Sequence, residues 1–530
     1  MSSFRKQYYI FAILLITCLQ LFAIACSTPS PIQDIHPDSS TISESSVNQD
    51  TVLRIATTFL DEYPDPYKAG WLAVPSGLSE TLFRLGDNLK PEPWLANHAN
   101  QVEPNIWEIT LRQDVTFHNG VGMNSDKVKG SLEKAIEQNA GTKSLLGIRD
   151  IAIKDSHTLL ITTDAPNPAF LGLLANPNTG IADPNTISDS KDGSNSGPAM
   201  TGPYKVISFS ADESMLVERF PDYWRGMPAS PSIEFMAFPE ANSRLIALQS
   251  GDVDIAVNLP PQAAETIDKD SSLDLLVAPP SSLLFMFVNH ESLLMQDLQI
   301  RKAVTYAINR SAITNSVALG NALPAGSIYP PKFLSCTNPR DHTFNPILSK
   351  ELLSQAGYED KDEDGIVEKE NKSLSLTLQT YPQQPLLPPM LEVVQSMLKD
   401  VGIDSNIEIV EWTLASQGGY DLFGYSNSTV NTGDPQWGLT QQFFTEGDEN
   451  RGNYSNPSVD ALINQLAGSI DPEKRKSIAC DALWSGMDDV ALVPVMHPNR
   501  LYGLSDRIDW ASGPHPLQLY FVDYTIGFGR

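Results

Sequence analysis

The sequence predicts a mixed α/β fold divided into more than one lobe. Three observations predict it. Short β-rich runs and amphipathic helical stretches are interleaved along the chain without any tandem repeat. Roughly 480 residues follow the polar N-terminal stretch, too many for one hydrophobic core. Hydrophobic residues make up 41% of the chain, an ordinary globular value, and no second long apolar run follows the N-terminal one.

The β-rich runs are 51–58, 106–111, 157–163, 204–209, 215–219 and 374–380. Helical spacing of apolar residues predicts helices over 126–138, 242–249, 298–309, 389–401, 458–467 and 472–487. In the third of these, Leu298, Ala303, Val304, Ala307 and Ile308 fall at helical intervals. Ser125 is placed to cap the first. Gly, Pro and Asn cluster between most elements. Phe117-His118-Asn119-Gly120 reads as a hairpin-type turn and Thr201-Gly202-Pro203-Tyr204 as a turn feeding a strand, with Gly202 expected to supply unusual torsions.

The N-terminus carries an export signal. Arg5 and Lys6 precede an apolar run from Tyr8 to Ala25, the positive and hydrophobic regions of a secretory leader. The run ends in Leu21-Phe22-Ala23-Ile24-Ala25-Cys26. Small residues before a cysteine suit a lipoprotein signal peptidase, although Ala23 stands where leucine is usual. The run is also close to the length of a membrane span. Both readings place the body outside the cytoplasm. Residues 27–50 are rich in Ser, Thr, Pro, Asn and Asp and read as a flexible tether.

The chain carries 36 basic and 64 acidic residues, a formal net charge of −28. Loss of the leader removes Arg5 and Lys6 and leaves −30. Such a balance opposes binding to nucleic acid or an anionic lipid surface and favours solubility. Of four cysteines, Cys18 leaves with the leader and Cys26 is the lipidation site, so Cys336 and Cys480 remain. In an oxidising compartment they can pair, though sequence alone does not bring them together.

Enzymatic motifs are missing. No GxSxG and no GxxxxGK[ST] is present, and His290-Glu291 is followed by Leu294 where a zinc-protease helix needs histidine. The eight histidines are scattered. No catalytic residue, cofactor or resident metal is expected. Asp360-Lys361-Asp362-Glu363-Asp364-Gly365 resembles the first half of a calcium loop, but its twelfth position is Asn371 rather than glutamate, so it reads as a solvated turn.

Ordered phrases spread over the body resemble the family-5 solute-binding proteins of peptide and nickel importers. They are Gly77–Arg84 with Pro93-Trp94-Leu95-Ala96; Trp107–Arg112 with Val115–Gly120 and Asp126–Glu133; Thr201–Val206 with Glu218–Gly226; Arg244 with Gly251-Asp252-Val253-Asp254; Val288-Asn289 with Ile300–Ala303 and Ala307–Arg310; and Asn453–Pro457 with Asp460. Most of these residues are expected to serve turns and core rather than a ligand.

The resemblance implies a two-lobed periplasmic-binding-protein-like fold of type II, with an extra subdomain and a hinge that closes around ligand. It implies a first lobe of 51–76, 195–280 and 492–530, an extra subdomain of 77–194, and a second lobe of 281–491. The implied partners are a small-molecule or peptide ligand, permease and ATPase subunits of an ABC importer, and the membrane through an N-terminal lipid, with the protein itself a monomer. A sensor or surface lipoprotein that feeds no transporter is a further alternative. In peptide-binding members an aspartate shortly before an Asp-Pro pair holds the ligand's ammonium group; here Ser428 or Asn431 stands at that position and Asp434 belongs to the pair itself. Resemblance to nickel-chelate members makes Arg84 and Arg112 partners for chelator carboxylates. Trp71, Tyr425 and Trp437 are the expected aromatic walls, and Asn427 and Asp434 complete the expected ligand set.

Overall fold

The computed structural model describes residues 52–186, 197–337, 343–411, 418–517 and 519–529. The leader, the tether and Cys26 lie outside them. Among the described residues no helix is long and apolar enough to cross a membrane.

Two large mixed sheets organise the chain. The first has seven strands in the spatial order Leu273–Ala278, Arg500–Ser505, Ile255–Ala256, Val52–Thr57, Ser232–Ala237, Ser214–Arg219 and Tyr204–Ser210. Its central strand, Val52–Thr57, pairs in parallel with both neighbours and buries Leu53, Ile55 and Ala56 completely. The second sheet has six strands in the order Ala322–Pro324, Leu492–Pro498, Ser282–Val288, Leu422–Ser428, Ser375–Thr380 and Asp404–Ile409. Leu283 to Val288 are all buried, as a strand covered on both faces requires. A third sheet of four strands, Ala96–Glu103, Ile106–Leu111, Thr158–Thr163 and Ile148–Asp155, lies within residues 77–194.

The chain crosses between the two large sheets twice, and the crossings are short. Leu273–Ala278 ends in the first sheet and Ser282–Val288 begins in the second, leaving Pro279, Pro280 and Ser281 between them. Leu492–Pro498 returns in the second sheet and Arg500–Ser505 continues in the first, with only Asn499 between. Strand pairing thus puts 492–498 in the second lobe's sheet, not in the first lobe where the resemblance had placed it. The reason is its antiparallel register with Ser282–Val288, Leu284 opposite Met496 and Phe287 opposite Leu492.

The family-like phrases meet in space through buried charge. Glu80 accepts from Trp94 Nε1 at 2.8 Å, from the Tyr223 hydroxyl at 2.7 Å and from Trp224 Nε1 at 3.1 Å. Burial raises its pKa, opposed by these donors. Arg244 donates to the carbonyls of Phe238, Pro239, Val257 and Asn258. Arg301 ties Met295, Gln296 and Asp489 carbonyls together. Arg310 reaches the Pro494 carbonyl at 2.7 Å, and burial lowers its pKa to about 10. These side chains satisfy backbone acceptors that would otherwise be buried unpaired.

Two local expectations change. Asn124, not Ser125, caps the helix Ser125–Gln138, its side chain accepting from Lys127 N at 3.0 Å; the serine is the helix's first residue. Gly202 has no left-handed torsion. It is required because a Cβ there would sit 2.3 Å from the Gly77 carbonyl oxygen.

A disulfide joins Cys336 to Cys480, whose Cα atoms are 5.6 Å apart. It staples the segment before the helix Pro346–Gln355 to the helix Pro472–Asp488. Closing a loop of 144 residues stabilises the fold by roughly 4–5 kcal/mol in the chain-entropy model. Cys336→Ser with Cys480→Ser is expected to lower the denaturant-unfolding free energy by a few kcal/mol, and thiol titration of the unreduced mature protein, unfolded in denaturant, to find neither cysteine free. Two free thiols in that sample would refute the pairing.

Candidate ligand-binding cleft

The second lobe carries an aromatic wall on one face of its sheet, with Tyr381 and Tyr425 buried in it. Leu422–Ser428 runs antiparallel to Ser282–Val288, with Tyr425 opposite Phe285 and Phe423 opposite Phe287. Directly paired residues share a sheet face, so these rings gather on one side. Tyr425 lies 5.7 Å from Phe285 and 6.0 Å from Tyr381, centroid to centroid. Its hydroxyl donates to Glu449 Oε2 at 2.9 Å, and the Arg451 guanidinium lies 5.2 Å over its ring. Arg451 Nε also contacts Glu449 Oε2, at 3.3 Å. Burial raises the Tyr425 phenol and pushes Tyr381 up to about 12. Asn427 is half-buried two residues on, its side-chain oxygen accepting from Ser428 N. Ser428 Oγ donates to the carbonyl of Ser281, in the crossing.

The loop that follows carries this wall against the extra subdomain. Thr429 Oγ1 donates to the Ile328 carbonyl at 2.7 Å. The Thr432 carbonyl lies against Gly172, and Gly433, with φ of 68°, approaches the Leu89 carbonyl so closely that a Cβ would sit 2.2 Å from it. Asp434 then caps the helix Pro435–Phe443 through Gln436 N. Both its oxygens accept from Arg475 Nη2 at 2.7 Å, and Arg475 Nη1 holds the Leu466 and Ser469 carbonyls. Asp434 is thereby committed to holding the loop. Trp437 lies half-buried in the first turn of that helix.

The expected residues fall into separate groups. Tyr425 and Asn427 share the wall, and Asp434 and Trp437 share the helix start. Trp71 sits 47% exposed on the short helix Gly70–Ala73, which is pinned by the bond from Gly70 N to Asn178 Oδ1. Arg84 and Arg112 are gathered elsewhere, at the junction of the subdomain with the first lobe. Arg84 pairs with Glu92 at 2.5 Å and lies 4.0 Å over Trp94. Arg112 forks onto both oxygens of Asp114 and lies 4.2 Å over Trp224. Trp94 and Trp224 pack edge to face, 5.3 Å apart. Side chains alternate along a strand, so with Phe83 and Leu85 buried, Arg84 leaves the opposite face. Both guanidiniums thus have carboxylate partners within the chain.

Tyr381, Glu449 and Arg451 were not singled out from sequence. Tyr381 is the residue after the strand Ser375–Thr380, where an exposed turn is as natural as a wall. Glu449 and Arg451 lie in the polar run Glu446-Gly447-Asp448-Glu449-Asn450-Arg451, which reads as a solvated loop. Only the fold lays that run over Tyr425.

Two other features fall outside the wall. A groove of about 510 Å³ lies between the helices Leu298–Ala307, Pro346–Gln355 and Leu387–Asp400, lined by Phe344, Ile347 and Met397 among others. The acidic turn brings one oxygen each of Asp360, Asp362 and Glu368 within 4.8 Å of one another, on exposed or half-exposed side chains.

Two mixed sheets joined by two short crossings define a two-lobed, hinged solute-binding protein. The model of the bacterial extracellular solute-binding proteins, family 5 (middle), matches residues 90–450, more than half of the chain. The chain belongs to that family, the substrate-binding components of ABC importers. It is 28% identical over 474 residues to the nickel-binding protein NikA of Staphylococcus aureus, covering 88% of this chain and 92% of that one. It is 27% identical over 471 residues to the glutathione-binding protein GsiB of Salmonella typhi, covering 84% and 89%. The solved structure of Staphylococcus aureus NikA in complex with Ni(L-His)2 superposes with a TM-score of 0.76 at 26% identity, over 90% of this chain and all of that one. The oligopeptide-binding protein AppA of Bacillus subtilis, in complex with a nonapeptide, shares the fold with a TM-score of 0.71 at 20% identity, over 90% and 99%.

The structural and the exposed residues separate by experiment. Asp434→Ala leaves the Arg475 guanidinium buried without its carboxylate and is expected to cost about 3–5 kcal/mol in chemical denaturation. Trp71→Ala, at an exposed site, is expected to change stability by less than about 0.5 kcal/mol while weakening ligand binding in calorimetry. Unchanged affinity in the Trp71 variant would remove it from the cleft.

Proposed function

We propose that this protein captures a short peptide, or a related small charged solute derived from amino acids, between its lobes and delivers it chemically unchanged to a permease–ATPase assembly. The observation that carries the reading is that Arg84 and Arg112, the expected partners of a chelator's carboxylates, are each paired with an acid of this chain.

A second reading, a nickel chelate, is favoured by the likeness to Staphylococcus aureus NikA across most of both chains. Native mass spectrometry of the purified protein separates the two. A co-purifying mass that fragments as a peptide supports the first, and a nickel isotope pattern in the bound species overturns it in favour of the second.

The expected anchor completes the reading: a lipid on Cys26, with residues 27–50 as the tether. Cys26→Ala is expected to move the protein from the membrane fraction to the soluble one. Full membrane retention would show that the lipobox is not used.

A further inference from the structure

We propose that the meeting of Thr432-Gly433 with Leu89 and Gly172 is the closing contact of the hinge, made when the lobes shut and broken when they part. The inference rests on the two-lobed fold and not on which solute is bound.

The two sides of the contact belong to different lobes. Thr432 and Gly433 lie in a loop held to the second lobe at both ends. Before them, Thr429 Oγ1 donates to the Ile328 carbonyl. After them, Arg475 clamps Asp434 and the Tyr329 hydroxyl donates to the Pro435 carbonyl. Leu89 and Gly172 lie in the extra subdomain, Leu89 in the turn between the strands Phe83–Leu85 and Pro91–Pro93, and Gly172 in the short helix Phe170–Leu173. Ser428 touches the crossing at Ser281, and Thr432 is four residues further on, at most about 14 Å away.

Main chain meets main chain here. The Thr432 carbonyl oxygen lies 1.8 Å from where a Cβ of Gly172 would be, and the Leu89 carbonyl oxygen 2.2 Å from where one of Gly433 would be. Each glycine therefore turns a hydrogen toward the oxygen, a weak contact compared with an N–H donor. Pro91 fills the space between, its Cγ and Cδ 3.4 and 3.2 Å from the same two Cβ positions.

The contact lacks the marks of permanent packing. Thr432 and Leu89 are buried, yet neither carbonyl accepts a hydrogen bond from any described residue. No hydrogen bond among the described residues joins 429–434 to 85–91 or 169–174. Fixed interfaces pair their buried backbone groups, whereas these two oxygens regain water whenever the segments separate. Leu89 also has φ of 60°, a left-handed torsion that a hairpin turn of this kind usually gives to glycine. Backbone strain of this sort collects at parts that move or bind.

The test is Gly172→Ala in the mature protein as purified. Gly172 has no left-handed torsion, so alanine is resisted there chiefly by the Thr432 carbonyl. A permanent contact would have to absorb the methyl group within the folded state, and the denaturant midpoint would fall. A closing contact escapes it by staying open. The midpoint is therefore expected to hold, while amide hydrogen exchange of 86–90 and 429–434 rises together at least tenfold. A lowered midpoint, or failure to fold, overturns the proposal by marking the contact as fixed packing. An unchanged midpoint with unchanged exchange overturns it too, by showing that the contact does not form in solution. Wild type decides without any variant as well: the two segments are expected to exchange faster than the strands Leu422–Ser428 and Ile106–Leu111, and protection equal to those strands overturns the proposal. No outcome bears on the choice between peptide and nickel chelate.

Discussion

Two antiparallel strands cross from one sheet to the other side by side, and the rest of the molecule is arranged around that constraint. Ala278 pairs with Arg500 on one side and Leu284 with Met496 on the other. Only three residues separate the sheets on the first strand and one on the second. Pro279 and Pro280 each have a fixed φ, which leaves few torsions through which the lobes can reorient. Such a joint restricts motion to a narrow path.

The family-like phrases serve this geometry rather than the ligand. Glu80 draws two indoles and a phenol into one buried cluster, joining the subdomain to the first lobe. Arg244 and Arg301 each collect carbonyls from segments between elements, and Arg310 reaches the Pro494 carbonyl within the strand Leu492–Pro498. A guanidinium can do this because it carries five donors in a planar fork. Removing one such side chain strands several acceptors at once, at about 1–3 kcal/mol each. The Asp434–Arg475 pair works in the same way, and it explains why an acidic residue beside the wall is not free to meet a ligand.

How much was legible in the sequence follows from the range of the interactions concerned. Helical spacing located 298–307 and 472–488 to within two residues, because an amphipathic face is a local pattern. Turn chemistry marked Gly202, but for the wrong reason: its need comes from Gly77, more than a hundred residues earlier. Strand membership of 492–498 depends on register with 282–288, which no local pattern encodes. The wall was half legible. Tyr425 and Asn427 stand in a recognisable strand, whereas Glu449 and Arg451 lie in a run of charge that local rules assign to solvent. Arg84 and Arg112 were chosen for their chemistry, and sequence did not reveal that Glu92 and Asp114 were within reach.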